Sequence, residues 1–245
     1  MEGDRRLRIL TRSVESLDGD RRVQPLCEVC AEITATTGAG LMLMFDGVSP
    51  GAFCTTDAVS ARLEQLHLDL GEGPWVDAYR QDRVVVEPDL ASPDRARWLA
   101  FTSPAVDAGA RAIFGFPMLI GTVRLGTMGM HIDRPGALSV EQHADALVMA
   151  DVAARAILLM QADASPGTMV EELMAATDLR LEVHQAAGMV SAQLAITVGE
   201  ALIRLRASAF GNERSLDEVA RDVVARRLRF EHPGRDERAV GGGEC

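Results

Sequence analysis

The chain has 245 residues and a formal net charge of −11; 47% of the residues are apolar and only 4% aromatic. That length holds one large domain or two ordinary ones, each able to bury a core, and the scarcity of aromatics leaves Leu, Val, Ala and Met to fill it. The charge argues against a chain that is basic throughout, and the most apolar segments are broken by charges before they reach the length of a bilayer span. Arg5, Arg6, Arg8 and Arg12 lead into polar and acidic residues rather than the apolar run of a secretory leader. A cytoplasmic protein with no membrane partner is expected.

Residues 1–19 read as a polar leader. Pro25 to Thr37 has helical spacing, and Gly40 to Phe45 is a short apolar run, read as a buried strand that stops at Asp46-Gly47. A helix from Ala58 to His67 follows. Gly71-Glu72-Gly73-Pro74 is a turn into a helix starting near Trp75; it lacks the Lys-Ser/Thr of a phosphate loop and the third Gly of a dinucleotide loop. Next come a strand from Arg83 to Val86 and a helix from Asp94 to Val106. Residues 111–120 and 122–130 are two strands separated by Gly121, hence a hairpin. Ser139 with Gln142 fits a capping box that opens a long amphipathic helix to about Ala162. Helices flanking an antiparallel sheet give residues 20–162 an α+β fold.

Residues 163–167, with Pro166-Gly167, read as a linker. Met169, Leu173, Ala176, Leu179, Val183, Ala187, Val190 and Leu194 then recur every three or four residues, the stripe of one long amphipathic helix. The stripe is wide enough that part of it reads as a dimer seam. Thr197-Val198-Gly199-Glu200 and Ser215-Leu216-Asp217-Glu218 both fit the capping box and start short helices near residues 198 and 216. Residues 168–230 are therefore expected to be all-α with three helices. Residues 231–245, with Pro, charges and three consecutive Gly, read as a disordered tail.

Charge is unevenly spread: residues 1–167 hold 15 Arg against 23 acids, and residues 168–230 hold 8 Arg against 9 acids. Every basic residue is Arg, whose planar fork suits phosphate and base edges. Cys27 and Cys30 share one helix face and read first as core packing, with a thiol switch or metal as the alternative; Cys245 reads as a free, exposed thiol. The five histidines have no metal-ligand spacing, and no nucleophile, base and orienting group stand out together. No enzyme activity, metal or cofactor is expected.

Residues 168–230 resemble the ANTAR domain of bacterial transcription antitermination regulators. The resemblance rests on Gln-Ala-x-Gly-Met at 185–189, Glu200-Ala201, Leu205-Arg206, Ala209-Phe210, and Leu216 with Val219-Ala220. Departures fall at Ala187, Glu213 and Ser215, where the family often has a basic residue, Asn and a basic residue. The resemblance implies a three-helix module that binds paired RNA stem-loops in nascent leader transcripts, as a homodimer with one hairpin per subunit, and prevents termination. The RNA surface is placed on Gln185, Gly188, Arg206, Arg214 and Arg221. Residues 20–162 resemble the GAF domain, through Leu70 to Tyr79, Arg97-Trp98 before Phe101, Phe114 to Met118, and Arg124 to Met128. This implies a signal-sensing domain with room for an unidentified small molecule, and Trp75, Asp77, Trp98, Phe116 and Met128 are the candidate ligand contacts. The alternatives are a helix-turn-helix DNA-binding regulator and a GAF-based protein-interaction adaptor without nucleic-acid binding.

Overall fold

A computed structural model describes residues 2–17, 24–45, 48–92, 97–163 and 178–231. The chain divides into two compact units, Met1–Thr177 and Asp178–Cys245.

The first unit is built on a five-stranded, fully antiparallel sheet. Its strands are β1 (Gly38–Phe45), β2 (Val48–Thr55), β3 (Val85–Glu87), β4 (Ala112–Ile120) and β5 (Val123–Ile132), in the spatial order β2-β1-β5-β4-β3. The β4–β5 hairpin turns at Gly121, whose φ of +59° is the left-handed conformation that glycine adopts freely. Both faces of the sheet are covered, which is why β1 and β4 read as unbroken apolar runs instead of alternating ones. On one face lie α1 (Glu2–Leu17), α2 (Gln24–Thr34) and α6 (Val140–Asp163), over Leu41, Leu43, Phe114, Phe116, Met118, Met128 and Met130. On the other lie α3 (Ala58–Leu70), α4 (Pro74–Gln81) and α5 (Thr102–Asp107), with Met42, Met44, Leu63, Leu66, Trp75, Val85, Phe101 and Ile113 as their core.

The opening segment, expected as a polar leader, is the helix α1. Ile9 is fully buried and Ser13 nearly so, while Arg5 and Arg8 converge on Asp145 of α6 (2.8 and 3.1 Å), and Arg6 reaches Asp151 (2.6 Å). Arg12 pairs with Glu32 of α2. Strand β2 was not expected at all, because Pro50 and Gly51 look like a turn; an edge strand tolerates a residue with no N–H to donate. The helix expected from Asp94 is confined to α5. Pro104 belongs in a first helical turn, and the residues just before α5 form turns whose N–H groups at Ala100 and Phe101 are taken by Glu72.

The second unit contains α7 (Asp178–Leu194), α8 (Val198–Gly211) and α9 (Leu216–Val224). Both expected capping boxes form: Thr197 and Glu200 exchange hydrogen bonds, as do Ser215 and Glu218. α7 and α8 meet at a bend of 106°, after Ala195 at φ +50°. Val183, Ala186, Ala187, Val190, Leu194, Leu202, Leu205, Ala209, Leu216, Val219 and Val223 close the core. Of the stripe on which a dimer seam was expected, Met169, Leu173 and Ala176 lie outside the described residues, as does the tail beyond Glu231, while Val183, Ala187, Val190 and Leu194 are buried in the unit's own core. Among the described residues no single helix is long and apolar enough to cross a membrane.

Candidate functional sites

The segment from Leu70 to Tyr79 packs α4 directly onto the sheet. Gly71 ends α3 in the left-handed conformation (φ +64°) and gives its N–H to His67 O at 2.9 Å; Gly73 (φ +121°) and Pro74 then start α4. The indole of Trp75 is fully buried over Gly40 and Gly129, which pair across β1 and β5, while Gly115, paired with Gly129 across β4, receives the backbone of Pro74. A side chain at Gly129 would put its Cβ no more than 2.5 Å from Cε2, Cδ2 and Cζ2 of Trp75. The three glycines thus form a trough, one per strand, filled by the Trp75 indole over Gly40 and Gly129 and by the Pro74 backbone over Gly115.

His67 holds Trp75 from the other side. Its ring stacks on the indole at 4.6 Å with 6° between the planes and meets Phe101 at 4.4 Å. Nδ1–H donates to Leu63 O at 2.6 Å, and Nε2 accepts the Trp75 N–H at 3.1 Å, so the ring needs the neutral form with its proton on Nδ1. Burial pushes its pKa down to about 3 against a weaker upward pull from the Leu63 carbonyl. Thr127 Oγ1 donates to Trp75 O at 2.9 Å, which ties α4 to β5. The indole Nε1 itself is buried without a partner among the described residues.

Five ligand contacts were expected to converge, and they do not. Asp77 and Trp98 meet, with Trp98 Nε1 donating to Asp77 Oδ2 at 3.0 Å on the face of the sheet that carries Trp75. Phe116 and Met128 are cross-strand partners on the opposite face, beneath α6, with the Phe116 ring against His143 at 5.2 Å. Of the five, Trp98 alone lines the groove of about 410 Å³ that opens beside α5, among Leu90, Ala91, Leu99, Thr102, Val106 and Asp107. The Arg97 guanidinium lies 4.2 Å from the Trp98 ring, on its face.

Two polar groupings were not anticipated. Ser60, His131 and Asp57 lie together: Ser60 Oγ is 3.4 Å from His131 Nδ1, and His131 Nε2 is 3.9 Å from Asp57. Asp57 is already the N-cap of α3, accepting the Ser60 N–H at 2.6 Å, and the Ser60 hydroxyl is buried and shared with Thr56. The trio ties α3 to β5 and has no exposed nucleophile. The second grouping is a disulfide between Cys27 of α2 and Cys54 of β2. Cys27 therefore does not act as half of a pair with Cys30, which is free and buried, its thiol pushed up to about 12 by desolvation. Among the described residues no cluster of His, Cys, Asp or Glu fits a metal ion.

In the second unit, Gln185 and Gly188 stand one turn apart on the exposed face of α7, with Leu181 and Ala192 before and after them. Among the described residues a Cβ at Gly188 would meet nothing within 4 Å, so none of them calls for glycine there. Arg206 is half-buried on α8. Arg214 binds Asp222 (2.6 Å) and the Glu218 carbonyl (3.3 Å), and Arg221 faces Glu182 of α7 at 3.5 Å. Hydrogen bonds from Arg214 and Arg227 hold the Asp222 carboxyl below its usual range. Arg226 and Arg229 are exposed and have no ion pair among the described residues. Ile203 and Phe210, 64% and 66% exposed, share the outer face of α8.

No protein-family model matches the chain, and no curated protein matches it. Among solved structures it is similar to the GAF domain of a phosphoenolpyruvate-protein phosphotransferase from Coxiella burnetii, at 14% identity and a TM-score of 0.48, over 64% of this chain and 95% of that one. The corresponding GAF domain from Acinetobacter is 12% identical with a TM-score of 0.47, covering 65% of this chain and 96% of that one. A cyanobacteriochrome GAF domain is 19% identical with a TM-score of 0.45, covering 58% of this chain and 91% of that one.

Proposed function

We propose that the chain is a signal-responsive, non-catalytic transcription regulator, in which a GAF-type first unit governs a second unit that binds paired RNA hairpins in the ANTAR manner and prevents termination. The observation that carries the RNA half is the open face of α7. Glycine inside a helix costs roughly 0.5–1 kcal/mol relative to alanine, and at Gly188 none of the described residues packs closely enough to return that cost. Close approach of an outside backbone does, and Gln185 one turn away supplies amide donors and acceptors beside it. Arg221, held toward α7 by Glu182, and Arg206 on α8 supply guanidinium groups for phosphate.

The α+β architecture of the first unit, with helices on both faces of an antiparallel sheet, supports the sensor half together with the motifs at 70–79 and 114–128. A ligand in this reading binds at the groove beside Trp98, since Trp75 occupies the trough on the sheet. The reading as a helix-turn-helix DNA regulator loses ground because α9 carries Asp217, Glu218 and Asp222, and the last of these neutralises Arg214 and Arg227. The adaptor reading is favoured by one observation, the exposed Ile203–Phe210 face of α8.

A gel-shift comparison at one fixed salt concentration tests the proposal. A two-hairpin RNA is expected to bind more tightly than duplex DNA of matched length, because loop bases can be splayed onto a protein surface whereas a duplex presents mostly phosphate. Equal or tighter binding of the duplex contradicts it.

A further inference from the structure

The disulfide joins two elements that otherwise meet only by packing. Cys27 lies on α2, the helix that touches α1, α6, β1 and β2, and Cys54 lies on β2, an edge strand of the sheet. The β1–β2 ladder is irregular just there. Leu41 pairs with Cys54 and Met42 with Ala52, so Phe53 is an extra residue beside the link, and a second irregularity follows between Leu43 and Phe45. A bulge disrupts the ladder locally, and proteins open locally at their least stable parts, so opening confined to this edge would expose Cys54, now buried, without unfolding the rest. At the far end of α2, the Thr34 carbonyl accepts a hydrogen bond from Gln142 Nε2 of α6 at 2.9 Å, so the seating of α2 is felt by α6.

Two further observations bear on what this link is for. The interface between sheet and α4 is filled by Trp75, whereas the Cys27–Cys54 bond is a chemically reversible group inside the opposite core. In the cytoplasmic setting that the sequence leads one to expect, disulfides that form are usually transient and catalytic or redox-sensing.

We propose that Cys27–Cys54 is a reversible redox site whose reduction by a dithiol releases the β2 edge from α2. One thiolate of the reductant attacks Cys54 Sγ, forming a mixed disulfide and expelling the Cys27 thiolate, which takes up a proton. The second thiol of the reductant then attacks its own sulfur in the mixed disulfide, leaving Cys54 as a thiol and the reductant as a cyclic disulfide. Two electrons and two protons pass to the protein, and a disulfide oxidant reverses the exchange. Cys30 stays outside this chemistry: burial keeps its thiol protonated, so it does not attack the neighbouring bond.

The test equilibrates the full chain with graded ratios of reduced and oxidised dithiothreitol under native conditions, traps thiols by alkylation, and follows amide hydrogen exchange of both end states. The expected result is that two cysteines, Cys27 and Cys54, titrate together and return on back-titration, while exchange of the β2 amides speeds up at least tenfold in the reduced protein. Cys30→Ser is expected to leave both readings unchanged. The proposal is overturned if the link never forms, if it resists excess dithiol until the protein unfolds, if β2 exchange is the same in both states, or if Cys30→Ser blocks the exchange.

Discussion

Placing a methyl group on Gly129 sets it against the Trp75 indole. Its Cβ would lie no more than 2.5 Å from three ring carbons, where carbon pairs rest at about 3.5–4.0 Å, so the ring must retreat by more than an ångström. It has nowhere to go: His67 is stacked on its far side, and the Trp75 backbone is held by His67 Nε2 and Thr127 Oγ1. Overpacking of this kind costs about 1–3 kcal/mol, and this rigid site belongs at the upper end. Gly40→Ala is the internal control on the same ring, since its Cβ would meet Trp75 Cη2 at an ordinary 3.5 Å. That variant is expected to be neutral or to gain about 0.4–1 kcal/mol from a stiffer unfolded chain. Urea unfolding followed by circular dichroism should thus separate Gly129→Ala from Gly40→Ala by about 2–4 kcal/mol. Trp75→Leu should narrow the gap by giving the new methyl room. Equal stabilities for the two alanine variants would refute the claim that Trp75 fills the trough.

Three further outcomes follow from single groups. His67 is held neutral, with its pKa lowered to about 3 from 6.5, so the unfolded chain binds the extra proton between those values; stability is full above pH 6.5 and falls as the pH drops below it. His131, also lowered by burial, adds to the same trend, and His67→Phe should flatten much of it in urea midpoints measured from pH 7 to 5. Opening the disulfide, with Cys27 and Cys54 separated by 27 residues, removes a closed loop worth about 3.5 kcal/mol in the chain-entropy account. Calorimetry should then show the melting of the first unit drop by roughly 7–14 °C, at about 2–4 °C per kcal/mol. Gly188→Ala should do opposite things to fold and function, stabilising the second unit by roughly 0.5–1 kcal/mol while weakening hairpin RNA in a filter-binding titration; unchanged RNA affinity would remove Gly188 from the surface.

What was legible in the sequence was local. Capping boxes are read within four residues, so the starts of α6, α8 and α9 were placed correctly, and a single Gly121 between two apolar runs sufficed for the β4–β5 hairpin. What was missed depends on partners distant in the chain. α1 has too few apolar residues to announce itself, and its place comes from Arg5 and Arg8 meeting Asp145 well over a hundred residues away. The trough under Trp75 is assembled from Gly40, Gly115 and Gly129 on three strands. Strand parity places Phe116 and Gly115 on opposite faces, yet only the fold says which face α4 covers. The same holds in the second unit, where Arg214 meets Asp222 and Arg221 meets Glu182 of another helix, pairings that a motif read along the chain does not announce.

The most direct measurement is sequencing of the RNA that co-purifies with the chain from its own cells after crosslinking, beside a Gln185→Ala, Gly188→Glu variant that closes the open face of α7. The account predicts enrichment of leader transcripts carrying two adjacent stem-loops, lost in the variant. Recovery of no RNA above an untagged control, or of the same RNA with the variant, contradicts it.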